Sequence, residues 1–171
     1  MFAYTVLMWY NMNMRLYHGS NIKVTEPHVF QSDRKLDFGT GFYLTSSLEQ
    51  ASRWASLTTQ RRGNGKSIIS VFEADETFLS RLKILKFDKA GIDWLKFIAA
   101  NRKGISVSDG YDIIIGPVAN DKTMPVLSLY FAGFYSEEEA IKRLLPQKLY
   151  NQFTFKTETA LKALTLIEVM E

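Results

Sequence analysis

Hydrophobic and polar positions along the chain form short blocks of two kinds. Strict alternation marks Asn151–Thr157, where Phe153 and Phe155 face one way and Gln152, Thr154 and Lys156 the other; period two is the spacing of a strand. Apolar runs rich in Ile, Val and Phe predict strands over Ser67–Ala74 and Leu82–Phe87. The run Tyr111–Ile115, ending at Gly116-Pro117, has the form of a central strand. Shorter strands are expected at Leu16-Tyr17-His18, at Phe42–Thr45 behind the tight turn Phe38–Gly41, and near Leu166–Val169.

Helical spacing appears in four places. Ser46 with Glu49 and Ser47 with Gln50 fit the capping-box pattern, after which Leu48, Ala51 and Ala55 share a face. A second helix over Lys89–Asn101 would turn Ile92, Leu95 and Ile98 inward. Ser136 with Glu139 opens a third, which Pro146 stops, and a short one is expected near Leu161–Leu164. Residues 21–37 read as irregular. Strands and helices do not alternate as a doubly wound parallel sheet requires, so an α+β domain with split, mostly antiparallel sheets and peripheral helices is expected.

The first thirteen residues carry no charge. They are too few to span a bilayer, which takes about 20 apolar residues, and they lack the basic start of a secretory signal. Residues 1–13 are either a leader ahead of a true start at Met14 or an additional strand, and 14–171 form a single domain. The expected setting is cytoplasmic, with no membrane partner.

Composition narrows the chemistry. The chain of 171 residues has no cysteine and only two histidines, His18 and His28, which excludes a disulfide framework, a thiol nucleophile and a cysteine-based metal site. Its net charge of +3 is slight for a duplex-DNA binder. The one basic cluster, Arg61–Lys66, reads as a solvated loop or as a contact to an acidic partner, a phosphate or RNA.

Three places could hold chemistry. In Tyr17-His18-Gly19-Ser20 the imidazole sits at a strand end beside a glycine that lets another group approach; a structural histidine is the other reading. In Gly39-Thr40-Gly41-Phe42-Tyr43 and the helix after it, Tyr43 and Trp54 could wall a slot for a flat ring, or belong to the core. Gln152, on the polar side of its strand, either points into a cleft or lies exposed.

Taken in order, LYHGS, FGTGFYLTSSLEQASRWA and NQFTFKT resemble the ADP-ribosyltransferase superfamily, in the branch of the poly(ADP-ribose) polymerase catalytic domain and nearest to uncharacterised bacterial members. The likeness runs from Leu16 to Val169. It implies split sheets around a cleft for NAD, which is consumed as substrate without a metal. His18 would donate a hydrogen bond to the 2′-hydroxyl of the adenosine ribose. Gly19 would pair with the nicotinamide carboxamide, next to Ser20. Tyr43, introduced by Gly41, would stack on the nicotinamide ring, and Trp54 falls at the second aromatic position. Gln152 stands where a glutamate would bind the nicotinamide ribose. Arg34 is the expected pyrophosphate contact.

The sequence departs from the family pattern twice: Ala51 replaces a serine that binds the carboxamide, and Gln152 replaces the carboxylate. These departures argue against chain elongation. The resemblance implies mono-ADP-ribosyl transfer to an acceptor, expected to be a protein, with the chain as the toxin of a toxin–antitoxin pair and a small antitoxin as partner. The alternatives are a catalytically silent NAD or ADP-ribose binding module and an enzyme like the RNA 2′-phosphotransferases. DNA is not an expected partner.

Overall fold

A computed structural model describes residues 13–31, 35–120, 122–147 and 149–171. Of the leader expected over 1–13, all but Asn13 lies outside the described residues, as does Arg34.

The described chain forms seven strands and six helices. In order they are β1 (Met14–Ser20), β2 (Phe42–Thr45), α1 (Leu48–Arg62), β3 (Ile68–Ala74), α2 (Glu76–Leu79), β4 (Ile84–Lys86), α3 (Ile92–Arg102), β5 (Ile113–Pro117), α4 (Met124–Phe131), α5 (Glu137–Leu144), β6 (Asn151–Phe155), α6 (Glu158–Leu161) and β7 (Leu164–Met170). The domain is α+β, but the strands form one sheet, in the order β4-β5-β6-β2-β1-β3-β7. Only β4 and β5 run parallel, with α3 in the crossover that such a pair requires.

The expected split into two sheets is therefore replaced by a narrow seam. β1 pairs with β3 along its whole length, from Met14↔Ala74 to Ser20↔Ile68, and β2 pairs with β6 from Phe42↔Phe155 to Thr45↔Gln152. Between β1 and β2 a single register pair, Tyr17↔Thr45, holds the halves together.

Two apolar clusters form the core. One gathers Leu16, Phe42, Phe72, Ile113 and Phe155; the other gathers Phe38, Trp94, Ile98, Ile114 and Leu127. Neighbours Ile113 and Ile114 belong to different clusters because a strand points successive side chains to opposite faces. Both faces of β5 are covered, which is why its sequence is an unbroken apolar run. β6 is interior too, so its polar side is buried and Gln152 is only 3% exposed.

Ser47 caps α1 by accepting from the Gln50 amide, and Gly63 ends it in the left-handed region at φ 67°. Leu48 is 40% exposed rather than inward; α1 buries the small side chains of Ala51 and Ala55 instead, which lets its backbone come close to β1. Ile92 is likewise exposed, because α3 turns Trp94, Leu95 and Ile98 to the core. The apolar segment forming α4 shows no helical period, and Leu127 is its buried residue.

Candidate active site

Above the seam lies a cavity of about 460 Å³ lined by His18, Gly19, Asp37, Tyr43, Trp54, Arg102 and Gln152, with further groups from α1 and the segment after β5. That volume lies within the range of small-molecule sites. In the sheet, Tyr17, Thr45, Gln152 and Gly116 form one row across four adjacent strands, of which Gln152 lines the cavity.

His18 stacks on Phe42, with ring centroids 4.3 Å apart. Its Nδ1 lies 2.8 Å from the Tyr43 carbonyl oxygen. A carbonyl only accepts, so Nδ1 carries the proton. Burial depresses the imidazole pKa, an effect opposed by the Tyr43 carbonyl and reinforced by Arg62. The ring is thus neutral, and Nε2 presents a lone pair. In this tautomer Nε2 is an acceptor, where the resemblance implies a donor.

Gly19 is explained by packing. A Cβ there would overlap the Ala51 carbonyl and crowd the Ala55 amide, so only glycine lets α1 lie this close. Gly41 has the same cause, since its Cβ would sit 2.6 Å from Thr154 Cγ2. Neither Gly41 nor Ser20 lines the cavity; Ser20 is buried in its pairing with β3. Ala51, on the face of α1 turned to β1, is fully buried.

Tyr43 is fixed at both ends. Its hydroxyl donates to the Gly39 carbonyl at 2.6 Å and accepts from the Phe38 amide at 3.2 Å. Burial, with the nearby Asp37 charge, pushes the phenol well above its usual pKa, so it remains protonated. Lys156 secures the same turn from behind: its ammonium donates to the Phe38 carbonyl at 2.7 Å and to Ser108 Oγ at 3.2 Å. Burial lowers the Lys156 pKa to about 8, against the pull of Asp109.

Gln152 is the opposite case. Its Nε2 is buried with no hydrogen-bond partner. An orphaned buried amide costs free energy, about 1–3 kcal/mol. The residue is one of those that line the cavity.

Asp37 and Arg102 add a charged corner that the sequence did not reveal. Arg102 Nε donates to Asp37 Oδ1 at 2.6 Å, and Asn101 donates to the Asp37 carbonyl. Burial raises the Asp37 pKa, while Arg102 and the Ala119 amide pull it back. Nothing near Asp37 in sequence marks residue 102 as its partner. Lys35 and Arg61 also line the cavity, so part of the Arg61–Lys66 cluster faces it. Arg62 is instead bonded to Asn21 Oδ1 at 2.8 Å.

Glu158, the remaining carboxylate near β6, is turned away. It accepts from the Val29 amide at 2.9 Å, and the cap of α6 is made by Thr157. Among the described residues no group of three or more His, Asp or Glu is arranged to hold a metal ion, and no helix is long and apolar enough to cross a membrane.

A family described as a protein of unknown function, DUF3990, matches residues 14–166. The chain belongs to the DUF3990 family. The match contains every cavity residue named above, from His18 to Gln152. No curated protein and no solved structure matches the chain.

Proposed function

We propose that the cavity binds NAD and that the protein transfers its ADP-ribosyl group to an acceptor, as a mono-ADP-ribosyltransferase. The observation that carries this reading is the unpartnered amide of Gln152, a residue that lines the cavity together with His18, Tyr43 and Trp54. Gln152 Nε2 would donate to a hydroxyl of the nicotinamide ribose. His18 Nε2 would accept from a hydroxyl of the adenosine ribose. Tyr43, pinned by its hydroxyl, offers a rigid ring for nicotinamide. The reaction passes through an oxocarbenium-like state at C1′, as glycoside cleavage does, and a chain that positions the ribose and excludes water lowers that barrier.

The test is nicotinamide release from labelled NAD. Gln152→Ala should reduce release about 10²-fold while NAD affinity falls much less, since most ground-state contacts remain. Equal release by both proteins would remove Gln152 from the mechanism. A second reading, a silent NAD or ADP-ribose binding module, is favoured by the missing carboxylate at residue 152. It requires binding without release, and a Gln152→Ala change that alters affinity alone. The toxin role, with a small antitoxin as partner, rests on the sequence resemblance.

A further inference from the structure

A lysine on a protein surface holds its ammonium in water, where all three N–H groups are solvated. Lys156 is placed otherwise. It follows β6, and its main-chain amide is bonded to the Asp112 carbonyl at 2.8 Å. Its side chain lines a second cavity of about 300 Å³, together with Gly39, Thr40, Ser106, Ser108 and Asp109.

Nζ meets two acceptors there, the Phe38 carbonyl at 2.7 Å and Ser108 Oγ at 3.2 Å. An ammonium has a third N–H, and it finds no acceptor among the described residues. A neutral amine has two N–H groups and a lone pair, so it makes both bonds and keeps the lone pair at the third position. Gly39 adjoins it without crowding: a Cβ there would stand 3.1 Å from Nζ and 2.8 Å from Ser108 Oγ. Burial lowers the Lys156 pKa to about 8, against the pull of Asp109. Lys35 is the other charged group lining this cavity, and Asp112 is occupied by the Thr157 hydroxyl. At pH 8 about half the molecules carry the free amine, against about one in three hundred for a lysine at 10.5.

We propose that Lys156 is an acylation site, whose amine takes a small acyl group from a thioester donor, and that the amide so formed loosens the turn that holds Tyr43. The site stands on this second cavity alone; its effect on turnover rests on the NAD reading above. The Nζ lone pair forms the N–C bond to the thioester carbonyl carbon. The C–S bond breaks, its electron pair leaves with sulfur, and the proton shed by nitrogen converts that thiolate to a thiol. The acylated nitrogen keeps one N–H and no charge. It can then serve the Phe38 carbonyl or Ser108, but not both. The main chain of Phe38 and Gly39 fixes the Tyr43 hydroxyl, so slack in this turn reaches the ring.

The experiment incubates the full chain at pH 8 with a small acetyl thioester, S-acetyl-N-acetylcysteamine. Peptide mass spectrometry follows acetylation at each lysine, and nicotinamide release from labelled NAD is read on the same samples. A less basic nucleophile is also a weaker one, as in thiol exchange, so Lys156 should react about tenfold faster than the exposed Lys89 and Lys142. Release should fall in proportion to acetyl occupancy of Lys156. Lys156→Arg, treated alike, should lose no release beyond its own untreated level. Acetylation of Lys156 no faster than that of Lys89 and Lys142 overturns the site. Full acetylation of Lys156 with release unchanged overturns the coupling to Tyr43 and leaves the NAD reading intact. Absence of release before treatment overturns the NAD reading instead. The coupling is then read from the urea midpoint, which acetylation of Lys156 should lower and which, if unchanged, overturns it.

Discussion

Where α1 meets β1, the wall of the cavity is made by shape. Gly19 lets the Ala51 carbonyl come against the strand, and His18 lies flat on Phe42. Where α3 meets the turn before β2, the wall is made by charge and hydrogen bonds. Asp37 holds Arg102, Tyr43 is tied to Phe38 and Gly39, and Lys156 ties the same turn to β6. Gln152 stands between the two walls and belongs to neither, with a free amide. The Gly19–Ala51 contact tolerates no added atom and is indifferent to pH, whereas the polar wall accepts changes of shape and answers to charge. Mutations should therefore have different signatures on the two sides.

The largest expected effect is on the packed wall. Gly19→Ala puts a methyl group into helix backbone, which cannot rotate away, so the loss should reach about 3 kcal/mol, the upper end for overpacking. A urea titration would read this as a lower midpoint with unchanged slope. A loss under about 1 kcal/mol would mean that α1 can shift, and that this wall is softer than it looks.

Tyr43→Phe and Gln152→Leu test the polar side against its unsatisfied neighbour. The first strands the Phe38 amide and the Gly39 carbonyl and should cost about 1–2 kcal/mol. The second removes a buried amide end that has no partner, so stability should stay level or rise by up to about 1 kcal/mol. Similar losses in both variants would show that Gln152 is as structural as Tyr43.

Two smaller effects are pH-dependent. The His18 pKa is lowered in the folded protein, so below its ordinary value near 6.5 the unfolded chain binds a proton that the folded one resists. The contribution is present above pH 6.5 and is lost on acidification, and NAD affinity should fall with it as Nε2 is protonated. His18→Gln should flatten that part of the melting profile between pH 5 and 7. The Lys156 pKa is about 8 when folded, against 10.5 ordinarily. Between those values the unfolded chain again holds more protons, so this group makes stability rise gently from pH 8 toward pH 10. Lys156→Met should abolish that rise.

Much of the site was legible because its residues cluster in short segments. His18 and Gly19 share a strand, and Tyr43 follows the Gly39–Gly41 turn on β2, so local pattern located these lining residues. The reasons for the glycines were not legible, since they depend on what packs above: Gly19 is explained by α1 and Gly41 by β6. The Asp37–Arg102 pair was invisible because the partners come from a loop and a distant helix terminus. The alternation in β6 located the strand, but exposure of its polar side depended on knowing that β2 and β5 flank it. One sheet forms instead of two because Tyr17 still pairs with Thr45, a contact that no local pattern encodes.

The seam also bears on how the molecule reaches its native state. β1 and β3 are joined by the first third of the chain and can zip early, whereas β2 waits for β6, with residue 42 meeting residue 155. Pairings over such separations carry the larger loop-closure entropy and set a slower rate. The half-sheet holding His18 should acquire amide protection before the half holding Gln152, and with one register pair between them the two halves can mature almost independently. On this schedule the cavity is among the last parts of the protein to exist.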